Sequence, residues 1–96
     1  MPYPNEHSAR LKNPGRYKRF RRENDKFGKG IDAIWGVTQG NKVELQAIRF
    51  DAKIFTAEEA RKWLKDHDYK PIRFEAAAKA KDMGEYEKPE NNDFIP

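Results

Sequence analysis

Cysteine is absent from this 96-residue chain, which excludes disulfides, thiolate nucleophiles and every cysteine-containing zinc pattern, and gives no sign of an oxidising compartment. Histidine is nearly absent: His7 and His67 stand far apart in the chain, so no histidine pair has metal-ligand spacing. No apolar run approaches the length of a membrane span, and Met1-Pro2-Tyr3-Pro4-Asn5-Glu6 lacks the basic-then-apolar layout of a signal peptide. A soluble, unexported protein of an intracellular setting is expected, with no cofactor. Apolar residues are also scarce, 36% against 38% charged, so they must be concentrated if anything is to fold. They are, between Ile31 and Phe74, which predicts one small domain of modest stability.

The net charge of +4 hides a partition. Residues 10 to 30 hold nine Lys or Arg against Glu23 and Asp25, residues 31 to 78 carry equal numbers of each sign, and residues 79 to 96 are net acidic. Attraction to a polyanion is therefore expected to be local to the first of these.

Along the chain, residues 1 to 9 contain two prolines and no periodicity, so they read as an extended arm. Asn13-Pro14 is a helix-start signal and predicts a short basic helix from Pro14 to about Asp25, in which Tyr17 and Phe20 fall near the helical period. Gly28-Lys29-Gly30 breaks it and reads as a hinge. From Ile31 the period becomes two, with Ile31, Ala33, Trp35 and Val37 on one face of a strand, and a second strand begins at Val43. Apolar positions match across this hairpin if Val37 faces Val43, Trp35 faces Leu45 and Ala33 faces Ala47. That register needs an odd loop, best met by Gln39-Gly40-Asn41 with Asn41 left-handed, five residues being the alternative. Ile48 and Phe50 fall on the wrong face for this pattern, so either a bulge lies near Ala47 or both faces are covered.

Thr56-Ala57-Glu58-Glu59 is a capping box, and the helix it starts has Ala57, Ala60, Trp63 and Leu64 as its apolar stripe. Ile72-Arg73-Phe74 alternates like a third strand. The expected fold is α+β: a small ββαβ unit over residues 31–78, preceded by a basic N-terminal arm and short helix over 1–30 and followed by a disordered tail over 79–96.

Little here points to catalysis. Asp66-His67-Asp68 lies at a helix end with no predicted cleft, and neighbouring residues of Glu6-His7-Ser8 on an extended segment point apart, so they form no relay among themselves. Gly28-Lys29-Gly30 has neither the spacing nor the context of a phosphate-binding loop. The stronger signal is Arg16-Tyr17-Lys18-Arg19-Phe20-Arg21-Arg22, which alternates cations suited to phosphate with rings suited to stacking on bases. Its rival reading makes Tyr17 and Phe20 packing anchors and leaves the cations solvated. Membrane-surface binding fits less well, because the apolar face is narrow. Trp35 and Trp63 fall on predicted buried stripes and read as core.

Three segments carry a resemblance to a known family: Pro4-Asn5-Glu6-His7-Ser8-Ala9-Arg10-Leu11 with Asn13-Pro14, then Leu45-Gln46-Ala47-Ile48-Arg49-Phe50, then Phe55 to His67. Together they resemble a small domain of tailed-bacteriophage and prophage proteins, often encoded among head-assembly genes. The resemblance implies a setting in the bacterial cytoplasm or the virion and no particular chemistry. It draws attention to Asn5, Glu6, His7 and Arg10 as partner-binding candidates, a polar string with no packing role on an arm. The expected function is a non-enzymatic phage-type accessory module engaging nucleic acid or another polyanion through residues 10 to 30. The alternative is a morphogenesis or adaptor piece docking a protein partner, and a remote one is a hydrolase or nuclease using His7 or His67.

Overall fold

The computed structural model describes residues 3 to 78; the tail expected over 79–96 lies outside them. The elements are β1 (Glu6–Arg10), a 3-10 turn (Pro14–Arg16), β2 (Tyr17–Glu23), β3 (Ile31–Thr38), β4 (Val43–Asp51), α1 (Ala57–Asp66) and β5 (Arg73–Glu75). All pairings are antiparallel, in one five-stranded sheet of order β2-β3-β4-β1-β5. The class is α+β. From Ile31 the elements run in the order ββαβ, yet they do not close on themselves, because β1 lies between β4 and β5 and pairs with both.

The hairpin follows from its sequence. Val37 faces Val43 and Trp35 faces Leu45. The Thr38 amide donates to Lys42 O at 2.9 Å, leaving Gln39-Gly40-Asn41 as a three-residue loop with Asn41 at φ 67°. The third expected pair changes: Ala33 faces Ile48, not Ala47, because the register shifts beside Gln46. This bulge turns Ile48 and Phe50 onto the side of the sheet that carries the helix. The bulged Gln46 is buried, and its carbonyl accepts from the amides of Leu11 and Lys12 while its Nε2 donates to Lys12 O at 2.9 Å.

Helix α1 opens with the full capping box, Thr56 Oγ1 accepting from Glu59 N at 3.1 Å and Glu59 Oε1 from Thr56 N at 2.8 Å. Its Ala60 and Leu64 close over Ala9, Ile31, Ile48 and Phe50, all buried. Burying Ile48 and Phe50 fully contributes roughly 1.5–3 kcal/mol each. Trp63 packs at the rim against Phe27, Phe50 and Tyr69, with ring centroids 5.7–5.8 Å apart. Trp35 is half-buried outside this cluster, its indole N–H donating to Glu23 Oε1 at 3.0 Å.

Two expectations about the first thirty residues are corrected. The arm leads into a strand: Glu6–Arg10 pairs with β4 along its length, and from Ser8 to Arg10 its other edge pairs with β5 as well. The basic helix is also a strand. Asn13 Oδ1 does cap, accepting from Gly15 N at 2.8 Å, but the helical conformation ends at Arg16 and β2 pairs along β3. The three-residue spacing of Tyr17 and Phe20 imitates a helix because the register shifts between Tyr17 and Arg19. The extra residue puts both rings on one side of an extended strand.

Tyr17 decides where β2 lies. Its buried ring covers Gly36, where an added Cβ would sit 2.5–2.7 Å from three ring atoms, and its hydroxyl donates to Glu44 Oε1 at 2.8 Å. Burial chiefly, with the Glu44 hydrogen bond and charge adding, raises the Tyr17 pKa and keeps the phenol protonated. Gly36→Ala is therefore expected to cost about 1–3 kcal/mol by overpacking. A lower urea midpoint at unchanged slope checks this; a G36A chain as stable as the natural one would mean that the ring does not rest there.

Candidate functional site

A single helix covers a single face. On the other, period-two alternation brings together Glu6, Ser8 and Arg10 of β1, Phe20 and Arg22 of β2, Asp32 and Ile34 of β3, Ala47 and Arg49 of β4, and Arg73 and Glu75 of β5. All of these but Glu6 and Asp32 line a concavity of about 480 Å³, together with Tyr3, Pro14, Arg21 and Gln46. Its floor is apolar, built by the buried Ile34 and Ala47. Its walls are cationic: Arg10, Arg21, Arg22, Arg49 and Arg73 line it together with Glu75, while Glu6 and Asp32 beside it pair with Arg22 and Arg49. Two exposed rings flank it, Phe20 at 47% exposure and Tyr3 at 41%.

The arginines are held in different ways. Arg22 bonds to both Glu6 and Asp32, and Arg49 to Glu6 at 3.2 Å, so Glu6 bridges two cations. The hydrogen bonding that Arg22 donates to Glu6 is the main cause that raises the Arg22 pKa; burial opposes it and Asp32 adds to it. Arg49 also donates to the Tyr3 hydroxyl at 2.9 Å and lies 4.1 Å over that ring, while its Nε is buried without a partner. Arg73 donates twice to Glu75 Oε2, at 2.9 and 3.1 Å. This hydrogen bonding is the largest cause lowering the Glu75 pKa, and the charges of Arg73 and Arg10 act in the same direction. Arg10 has no ion-pair or side-chain hydrogen-bond partner among the described residues.

The basic segment is divided by the sheet. Phe20, Arg21 and Arg22 border the concavity. Tyr17 lies outside its lining as an anchor over Gly36, meeting Phe20 edge-on at 5.8 Å. Arg16 is 3.6 Å from Glu44 and Lys18 Nζ donates to Asn41 Oδ1 at 2.6 Å, so both lie beside the β3–β4 hairpin. Arg19 faces Val37, on the alternate side. The polar string is divided too: Glu6 and Arg10 join the open face, while exposed Asn5 gives its carbonyl to Ala52 N at 3.0 Å.

His7 is a core residue, which corrects its assignment to a partner surface. It is fully buried on the helix side. Its Nδ1 accepts from the Ala77 amide at 2.9 Å, so the ring hydrogen sits on Nε2 and is donated to Phe55 O at 2.7 Å. The ring also stacks on Phe74, 6.2 Å away. Glu6 and Ser8 face the other way, so this trio forms no relay. At the far end of α1, exposed His67 stacks on Trp63 at 3.9 Å and its Nδ1 donates to Trp63 O at 2.8 Å, a helix-capping arrangement.

Sequence reasoning missed Tyr3, Ser8, Ile34, Arg49 and Arg73. Alternation of Glu6-Ser8-Arg10 with His7-Ala9 was the available signal, obscured because its inward residues are a histidine and an alanine. Among the described residues, no group of three or more His, Asp or Glu is placed to hold a metal ion, and no helix is long and apolar enough to cross a membrane.

Fold and face together define the class: a small antiparallel α+β sheet protein, roofed by a helix on one side and open, cationic and ring-bearing on the other. In comparisons with known proteins, no family model, curated protein or solved structure matches the chain.

Replacing His7 by Phe keeps a ring of similar size but strands the Phe55 carbonyl and the Ala77 amide. Each unsatisfied buried group costs about 1–3 kcal/mol, so His7→Phe is expected to lose on the order of 2–4 kcal/mol in urea denaturation. A loss below about 0.5 kcal/mol, the range of ordinary surface substitutions, would show that these bonds do not hold the fold.

Proposed function

We propose that this chain is a non-enzymatic, phage-type accessory module that binds single-stranded nucleic acid across its open sheet face, in the host cytoplasm or the virion. One observation carries the reading: a concavity with an apolar floor, flanked by exposed rings and lined by five arginines, only two of which are paired with Glu6 and Asp32 and one with Glu75. Bases offer a π-face to Phe20 and Tyr3, and the phosphate backbone offers charge to the guanidinium groups. A relaxed single strand can splay its bases onto a sheet; a duplex keeps them stacked inside. Against the expectation from sequence, the surface is not a basic helix. It joins Phe20, Arg21 and Arg22 to cations of three other strands.

The phage setting is supported by the wording of the segments from Pro4, Leu45 and Phe55, two of which build β1 and β4, the strands at the centre of the face. Docking of a protein partner is the alternative, and it predicts a different response to salt.

Fluorescence anisotropy with a labelled single strand tests the proposal. Binding is expected at low salt, with log affinity falling linearly as log salt rises. Phe20→Leu keeps apolar bulk but removes a stacking ring, and should weaken single-strand binding by roughly fivefold or more, in line with about 1–3 kcal/mol per stacked base. Duplex binding should change little. If the natural chain binds no single strand even at low salt, where attraction is greatest, the nucleic-acid reading fails and protein docking replaces it.

A further inference from the structure

Arg10 and Arg73 occupy directly opposed positions on β1 and β5. Both line the concavity. Cross-strand partners stand with their Cβ atoms about 5 Å apart, and like charges placed so destabilise a sheet. One of the pair is compensated, since Arg73 is held by Glu75. Arg10 is not. The next position of β1 on this face is Ser8, opposite Glu75 on one side and Arg49 on the other, and it too lines the concavity. Two guanidinium forks and a hydroxyl thus line one concavity beside an apolar floor, and the Arg10 fork makes no hydrogen bond or ion pair among the described residues.

We propose that Arg10, Arg73 and Ser8 form a phosphate-binding subsite, in which a tetrahedral oxyanion bridges the two guanidinium groups and accepts the Ser8 hydroxyl. The subsite extends the nucleic-acid reading of the open face and rests on it for the source of the phosphate, a strand backbone. Arg10 supplies a free fork suited to two phosphate oxygens. Arg73 keeps a nitrogen unused by Glu75, because only its Nε and Nη2 are committed there. The anion also relieves the Arg10–Arg73 repulsion, so the site gains from binding what the empty sheet lacks. Glu75 opposes this: its carboxylate holds Arg73 and repels the incoming charge. A ligand that places phosphate here has its base directed along the floor of Ile34 and Ala47, towards Phe20.

Amide chemical shifts of the full chain, recorded during titration at low ionic strength, test the subsite with three probes. The first is inorganic phosphate, the second a short abasic oligodeoxynucleotide that has phosphates and no bases, and the third the same length of strand with bases. Phosphate should shift the amides of Ser8, Arg10, Arg73 and Glu75. Arg10→Gln and Arg73→Gln should each weaken phosphate and abasic-strand binding by roughly three- to tenfold, the range for losing a partly exposed charged hydrogen bond. Lys62→Gln, which removes the same charge from the helix, should leave it unchanged. Arg10→Lys keeps the charge without the fork and should fall between. Glu75→Gln should tighten binding more than Glu58→Gln, which changes net charge equally on the helix. If Arg10→Gln and Arg73→Gln act no more strongly than Lys62→Gln, or if phosphate shifts scatter over the basic surface, the subsite does not exist. Should the base-bearing strand bind Phe20 yet ignore both arginine variants, the subsite fails while the platform stands. Phosphate binding that depends on both arginines, without any strand binding, upholds the subsite and overturns the platform.

Discussion

The sheet holds together across β1, a five-residue strand with a neighbour on each side, and across the imidazole that β1 carries into the core. From Ser8 to Arg10 this strand is paired on both sides, so its backbone groups there are committed either to β4 or to β5. His7 extends the same constraint to the side chains. Through one ring it fixes the carbonyl of Phe55, just before α1, and the amide of Ala77, just after β5. The helix roof, the last strand and the chain's return are thereby referred to one buried point. Polar groups in an interior this small cost free energy unless both are satisfied, and the Nε2–H tautomer satisfies both.

Placing β1 there also makes the open face. Had the first strand been absent, β4 would end the sheet, and neither Glu6 nor Arg10 would stand beside Arg49 and Arg73. With it in place, the side opposite α1 gathers arginines from every strand but β3. Such a concentration of one charge is held by carboxylates that neutralise it unevenly: Glu6 and Asp32 saturate Arg22, Glu6 also holds Arg49, Glu75 holds Arg73, and Arg10 is left over. The more exposed of these pairs, such as Arg73–Glu75, contribute little to stability. Their effect is on geometry and on which cations are open to an incoming anion. The edge strand β2 carries further charge, which discourages edge-to-edge pairing of copies.

Much of this fold was legible where a local rule acts alone. Thr56 and Glu59 specify the helix start whatever surrounds them, and the matched apolar positions of Trp35 and Leu45, with Asn41 able to turn left-handed, specify the hairpin. The candidate site was legible in part. Phe20, Arg21 and Arg22 were identified as an arginine-aromatic cluster, and Glu6 and Arg10 as residues without a packing role on an arm. Reading failed at Tyr17 and His7 for physical reasons. A bulge gave an extended strand the ring spacing of a helix, and a polar ring took a core position through two hydrogen bonds that come from residues 48 and 70 positions away.

What the sequence by itself determined is what near neighbours enforce: the cap of α1, the three-residue turn, the absence of any cysteine chemistry, and a basic segment over residues 10 to 30. Only the tertiary structure decided that β1 lies between β4 and β5, that Gly36 receives the ring of Tyr17, and that Arg49 and Arg73 join Arg10 on one face. These depend on contacts between residues remote in the chain. Period-two alternation assigns a residue to one side of its strand, but the neighbours it meets there follow from strand order, which backbone pairing across the whole sheet settles.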